Sequence, residues 1–322
     1  MFSIIVPLYN KSAHIEKCLE SIFNQTFTEY EVIIVNDGST DDSIERVQKI
    51  SIANPYHLQI INQQNMGVST ARNNGVKVAK FDLIAFLDAD DWWEPSYLEE
   101  MNNLVVNFPV AGIFGSGYYL VKNGVSRVAT IGVDRSFNMG LINYFQVYSR
   151  NLCMPLWTCS TVIRKSIFAA ENGFMPLLKL GEDFDLWVRI ALKHPVAFLN
   201  KPLAYYNQDV ELLNRAVGNM HPPEAHMLWN LNYLENEEHS NPYLKLLLDK
   251  LRLYNLFPYY ISKEYHLQTK SELAKVDWRL QRPIDKLKYS LPVWLLNIWD
   301  RYMFLGSRIK QKMIRSAIKF NK

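Results

Sequence analysis

Between residues 2 and 95 the chain alternates short apolar, largely β-branched runs with longer stretches whose apolar residues recur every three or four positions. The runs are FSIIV (2–6), YEVIIV (30–35), HLQII (57–61) and DLIAFL (82–87). Between them, Ile15, Cys18, Leu19 and Ile22 share one helical face, a second helix opens with Asp42 and Glu45 as a capping box, and a third presents Val68, Ala71, Gly75 and Val78. Strands and helices alternating at about 25–30 residues predict βαβ units and a mainly parallel sheet. After Pro95 the alternation fades. Two apolar runs flank Asn123-Gly124, a strong hairpin signal, and FDLWVRIALKH predicts a helix over 184–194. From Glu224 onward the pattern is helical and aromatic-rich, and HPPE marks a break near 220. The expected organisation is a domain over 1–220 and a helical extension over 221–322.

Composition adds a core and a compartment. Of 322 residues, 48% are apolar and 13% aromatic, ample for a packed interior. No uninterrupted apolar run reaches the roughly 18 residues of a membrane span, and MFSIIVPLYNKS lacks the basic start and cleavage site of a secretory signal, so the catalytic part is expected in the cytoplasm. Cys18, Cys153 and Cys159 have no metal-ligand spacing and read as buried thiols.

Charge divides the chain unevenly. The net charge is +3, but Arg279 to Lys322 carries eleven Lys and Arg against Asp285 and Asp300, or +9, which leaves −6 on residues 1–278. In that basic tail Tyr302, Leu305, Ile309, Met313 and Phe320 recur at helical spacing behind Trp294 and Trp299. This predicts an amphipathic helix lying on an anionic membrane surface, or one packed on its own domain or a dimer partner with its charges solvated. Nothing else resembles a nucleic-acid module, so nucleic acid is not an expected partner.

Ligands of parallel sheets gather at the carboxyl ends of strands, where PLYN, NDGSTDD and DADD all fall. Asp37 could accept a hydrogen bond from a base or sugar beside the backbone opening at Gly38, or the stretch is a plain turn in which Ser39, Thr40 or Asp42 caps a helix. Arg72, near a helix start, suits a phosphate or pyrimidine edge, or is a solvated surface residue. Asp88, Asp90 and Asp91 would repel one another unless solvated or neutralised by a hard cation such as Mg²⁺ or Mn²⁺, which keeps coordination sites for a diphosphate. Glu182 and Asp183 complement a helix dipole, or one serves as a general base.

Together IIVPLYN, VNDGSTDDS, NMGVSTARNNG, DADD and GEDFDLWVR, in this order and spacing, resemble an inverting glycosyltransferase of family 2 over about residues 1–210. The resemblance implies an α/β GT-A fold, a Rossmann-like mixed sheet flanked by helices. It puts Asp90 on Mg²⁺ or Mn²⁺, Asp88 on the ribose, Pro7 and Tyr9 around the base, Asp37 on the uracil edge, and Arg72 near base and phosphates. It makes Asp183 the base, with Glu182 near the acceptor, and leaves Asp91 without a role. A nucleotide-sugar, UDP-linked first, would give one sugar to a saccharide or polyprenyl-diphosphate-linked acceptor of bacterial surface-polysaccharide assembly. With the basic tail, the enzyme would sit peripherally on the inner face of the membrane. The Gln-x-x-Arg-Trp motif of processive synthases is missing. In its place, 205–221 offers Arg215 for the diphosphate and His221 for the metal shell, or is a plain surface loop. PLYNKSAH has no glycine, against a dehydrogenase, and a non-catalytic sugar-binding relative should have lost Asp90 or Asp183.

Overall fold

In a computed structural model, described over residues 1–53, 58–209 and 219–296, the first part of the chain forms βα units. They are β1 (Phe2–Leu8), α1 (Ile15–Phe23), β2 (Tyr30–Asn36), α2 (Ser43–Ala53), β3 (Leu58–Asn62), α3 (Val68–Val78) and β4 (Leu83–Phe86). The strands lie in the order β3-β2-β1-β4, all parallel. Every residue of β1 is buried, as expected of a central parallel strand whose near-continuous apolar run is covered on both faces. α1 buries the predicted Ile15, Cys18, Leu19 and Ile22.

Two local expectations change. At the start of α2 it is Asp41, not Asp42, that accepts the Ser43 N–H at 3.0 Å, while Asp42 pairs with Arg46 at 2.9 Å. α3 buries Ser69, Ala71, Arg72, Gly75 and Val76, and leaves Val68 and Val78 exposed. The cause is Gly75: a Cβ there would stand 2.5 Å from Ile5 Cγ2, so only glycine lets the helix lie this close to the sheet. That rotation also turns Arg72 inward.

The second half makes the sheet mixed. It comprises β5 (Trp92–Trp93), α4 (Tyr97–Asn107), β6 (Ile113–Lys122), β7 (Val125–Val128), β8 (Met139–Ile142), α5 (Tyr144–Asn151), β9 (Thr161–Arg164), α6 (Lys165–Ala170), α7 (Glu182–Ala191) and β10 (Val196–Asn207). β9 runs antiparallel between β4 and β6, and β10 lies parallel to β6. The hairpin falls where expected, with Asn123 (φ 54°) and Gly124 (φ 70°) joining antiparallel β6 and β7.

The chain divides into two compact units, Met1–Leu247 and one beginning at Leu248. Residues 225–227 pack within the first: the Lys179 N–H donates to Ala225 O (2.8 Å) and the Met227 N–H to Leu180 O (3.1 Å). α8 (Glu235–Ser240) follows, then α9 (Pro242–Asn255), α10 (Phe257–Ser262), α11 (His266–Ala274) and α12 (Pro283–Ser290). Inside the second unit the buried Arg252 pairs with Glu272 at 3.1 Å and with Asp249 at 3.4 Å. Among the described residues no helix is long and apolar enough to cross a membrane, and Cys18, Cys153 and Cys159 are free thiols. Arg215 and the basic tail from Arg301 lie outside the described residues.

Candidate active site

The loops after β1, β2 and β3 hold one another at the carboxyl edge of the sheet. The Asn10 carboxamide accepts the Thr40 N–H at 2.8 Å, the Lys11 N–H reaches Ser43 Oγ at 2.8 Å, and the Ser12 N–H reaches Asp41 Oδ2 at 3.1 Å. Asp37 is buried and accepts from Gln63 Nε2 (2.7 Å), the Met66 N–H (2.8 Å) and the Gly67 N–H (2.9 Å). A carboxylate offers about four acceptor positions, so one is not taken by these three donors. Pro7 is buried within β1, and Tyr9 stands 45% exposed just beyond it.

Arg72 is 3% exposed and ties two distant segments together. One guanidinium nitrogen donates to Asp88 Oδ1 at 2.7 Å, the other to Glu182 Oε1 at 3.0 Å, and the group lies over the Phe174 ring. Burial alone would make this cation less basic, but the two carboxylates outweigh it and raise its pKa. The rival surface reading of Arg72 is therefore set aside.

The acidic turn is resolved by giving each carboxylate a different partner. Asp88 takes Arg72, while Asp90 pairs with Lys11 Nζ at 2.6 Å, each member of that pair under a fifth exposed. Asp91 is buried and accepts the Asn207 N–H at 2.8 Å, anchoring the turn to the end of β10. Burial first, then the charges of Asp90 and Asp88, push the Asp91 carboxyl well up.

Glu182 and Asp183 open α7 behind Gly181, whose φ of 82° is left-handed and where a Cβ would stand 2.2 Å from Met227 Sδ. Asp183 accepts from Thr158 Oγ1 at 3.1 Å and from the Phe184 N–H at 2.7 Å. Burial raises its pKa, although Arg72 and these two donors oppose the shift. Burial, and then the adjacent Asp183, push Glu182 up to about 7 against the pull of Arg72. Behind the pair, Asp185 is buried between Arg189 (2.7 Å) and the Tyr233 hydroxyl (2.6 Å), which fixes the helix.

His226 is buried, with Nδ1 accepting the Leu228 N–H at 3.2 Å; burial first and then His221 push its pKa down to about 4. Among the described residues no three His, Cys, Asp or Glu side chains gather as a metal cluster. Asp88 and Asp90, which retain exposure, are hard oxygen donors of the kind a divalent cation takes, and its remaining ligands would come from a diphosphate.

Residues 3–169, just over half the chain, match the family described as Glycosyl transferase family 2. The chain belongs to that family. An Escherichia coli K12 protein named as the uncharacterized glycosyltransferase YibD is 42% identical over 88% of this chain and 80% of its own length. The chondroitin synthase of Pasteurella multocida is 40% identical over 76% of this chain, which spans only 24% of that longer protein. Staphylococcus aureus TarS 1–349, solved with UDP-GlcNAc, superposes with a TM-score of 0.69 at 22% identity, over 84% of this chain and 79% of that one, and shows the same fold. This glycosyltransferase therefore has the expected GT-A architecture, and the motif residues Arg72, Asp88 and Glu182 meet at its sheet edge. Sequence reasoning missed Lys11, Thr158 and the Asp91–Asn207 tie, whose partners are far apart in the chain.

Replacing Arg72 leaves two half-buried carboxylates unpaired. Arg72→Met should lower stability by about 3 kcal/mol at pH 7.5, with a smaller loss near pH 5 where Glu182 is protonated. Urea unfolding checks this. A loss independent of pH would contradict the ion-pair account.

Proposed function

We propose that this transferase moves one sugar from a nucleoside diphosphate sugar, UDP-linked first, to a hydroxyl of a saccharide acceptor in a single inverting displacement. The carrying observation is Asp183: a carboxylate of raised proton affinity, aimed by Thr158 and the Phe184 N–H, one residue from the Arg72 network that includes Asp88. Such a group is suited to take the proton of an acceptor hydroxyl as it attacks the anomeric carbon. The leaving diphosphate departs on the opposite face, so the anomeric configuration inverts and no covalent enzyme intermediate forms.

Mg²⁺ or Mn²⁺ held by Asp90 and Asp88, with His221, read from the sequence of 205–221, as a further ligand, would stabilise the charge developing on the leaving diphosphate. Asp88 also reaches the ribose, Asp37 offers its remaining acceptor position to the base, and Pro7 and Tyr9 border the base. Lys11 lies beside Asp90 and supplies positive charge at the same end. Glu182 borders the acceptor, and Arg215 is assigned to the diphosphate from the sequence of 205–221, where the motif of processive synthases is missing. The UDP-GlcNAc bound by TarS supports a UDP-sugar donor, and the chondroitin synthase relative supports a growing polysaccharide as acceptor.

Two variants separate binding from chemistry. Asp90→Ala should abolish metal-dependent UDP affinity in calorimetry. Asp183→Asn should keep that affinity and cut turnover by about 10²-fold or more. Near-normal turnover by the second variant would remove Asp183 from the mechanism.

The pH profile gives an independent check. A base with a raised pKa is active only above it, so the acid limb of kcat should lie above the ordinary aspartate range. Thr158→Val removes a hydrogen bond that favours the ionised form of Asp183 and should move the limb to higher pH. An unmoved limb would contradict the assignment.

The basic tail is proposed to dock the enzyme on the inner face of the membrane, near a polyprenyl-diphosphate-linked acceptor, because its apolar stripe and flanking cations match an interfacial helix. Binding to phosphatidylglycerol vesicles should weaken with salt and vanish on truncation after residue 285. Equal binding by the truncated chain would defeat this reading.

A further inference from the structure

Trp157 is half-buried, and its backbone is fixed by a carbonyl that accepts the Ser160 N–H at 2.8 Å and Thr161 Oγ1 at 2.8 Å. Its ring lies 4.5 Å from that of Tyr206 and 5.6 Å from that of Tyr118. The next residue, Thr158, holds Asp183, and the residue after Tyr206, Asn207, holds Asp91. Trp157 thus adjoins in sequence the residue that holds the proposed base, and Tyr206 adjoins the residue that anchors the acidic turn. Buried indoles normally find a hydrogen-bond acceptor, as Trp93 does on Cys159 O at 2.6 Å. The Trp157 N–H has none among the described residues, and it is not among the buried atoms that lack one. A donor open to solvent therefore sits at the rim of a fixed aromatic surface. β10 sends the neighbouring Tyr205 into a separate stack with Trp92 and Tyr119, so Tyr206 is committed to this side.

We propose that Trp157 and Tyr206 form the platform for the acceptor sugar: the C–H face of a pyranose lies on the rings, the indole N–H donates to a ring hydroxyl, and the attacking hydroxyl is presented to Asp183. An aromatic pair offers broad apolar area at low entropic cost beside a polar handle, which suits a sugar with one C–H face and a hydroxyl rim. The alternating neighbours on these segments explain why the surface is rigid. Thr158 and Asn207 are engaged by carboxylates, which ties the backbone on which each ring stands to one half of the site. The platform deepens the transferase reading and rests on it.

The test uses the full chain with UDP and Mg²⁺, and as probes methyl β-D-glucopyranoside, methyl β-D-galactopyranoside and methyl N-acetyl-β-D-glucosaminide, followed by saturation-transfer NMR. UDP affinity is measured alongside by calorimetry. At least one glycoside should receive saturation through its ring C–H protons in the wild type. Trp157→Leu, which keeps apolar bulk without a π face, should weaken that glycoside about tenfold, and Trp157→Phe should restore most of it. UDP affinity should change by less than about twofold in both variants, which also certifies their fold. Equal glycoside binding by Trp157→Leu, or no glycoside binding by a wild type that does bind UDP, overturns the platform. A wild type that fails to bind UDP overturns the donor reading beneath it.

Discussion

The buried guanidinium of Arg72 is the constraint on which the site depends. It comes from α3, yet it joins Asp88, at the end of β4, to Glu182, at the start of α7, residues separated by nearly a hundred positions in sequence. An arginine this enclosed is stable only if both forks are matched by carboxylate, and each carboxylate at that depth needs the cation in return. The fold serves this pairing from both sides. Gly75 lets α3 lie against Ile5 so that Arg72 points inward, and Gly181 admits Met227 and the left-handed turn that places Glu182 and Asp183 at a helix start.

The same logic explains how the chain tolerates Asp88, Asp90 and Asp91 in one turn. Each has a separate counterpart: a buried arginine, a lysine from the loop after β1, and a backbone N–H at the end of β10. Only Asp91 is fully withdrawn from solvent, and it acts as an anchor. Asp88 and Asp90 retain exposure, so theirs are the oxygens of this turn left open to the proposed cation. Charge concentration at a strand end is thereby turned into a division of labour.

Much of this is legible in the sequence because it is local. The apolar runs that became β1 to β4, the amphipathic face of α1 and the Asn123-Gly124 hairpin each depend on a few adjacent residues, and the acidic motifs sit where strands must end. What was not legible is long-range. Thr158 reaches Asp183, Lys11 reaches Asp90 and Asn207 reaches Asp91 only because β9 inserts between β4 and β6 and β10 returns beside β6. The face of α3 was misjudged because hydrophobic periodicity cannot tell that a glycine will be chosen for closeness and an arginine buried for its charge.

If Arg72 is shared in this way, Asp88 and Glu182 compensate one buried charge between them. Removing either carboxylate leaves the guanidinium one partner, whereas removing both strands it. The direct measurement is a double-mutant cycle of Asp88→Asn and Glu182→Gln, alone and together, by urea unfolding at pH 8. The double variant should lose more stability than the two single losses added, by about 1–2 kcal/mol. Additive losses would mean that the two carboxylates do not share the cation, and the account of the site built on Arg72 would fall.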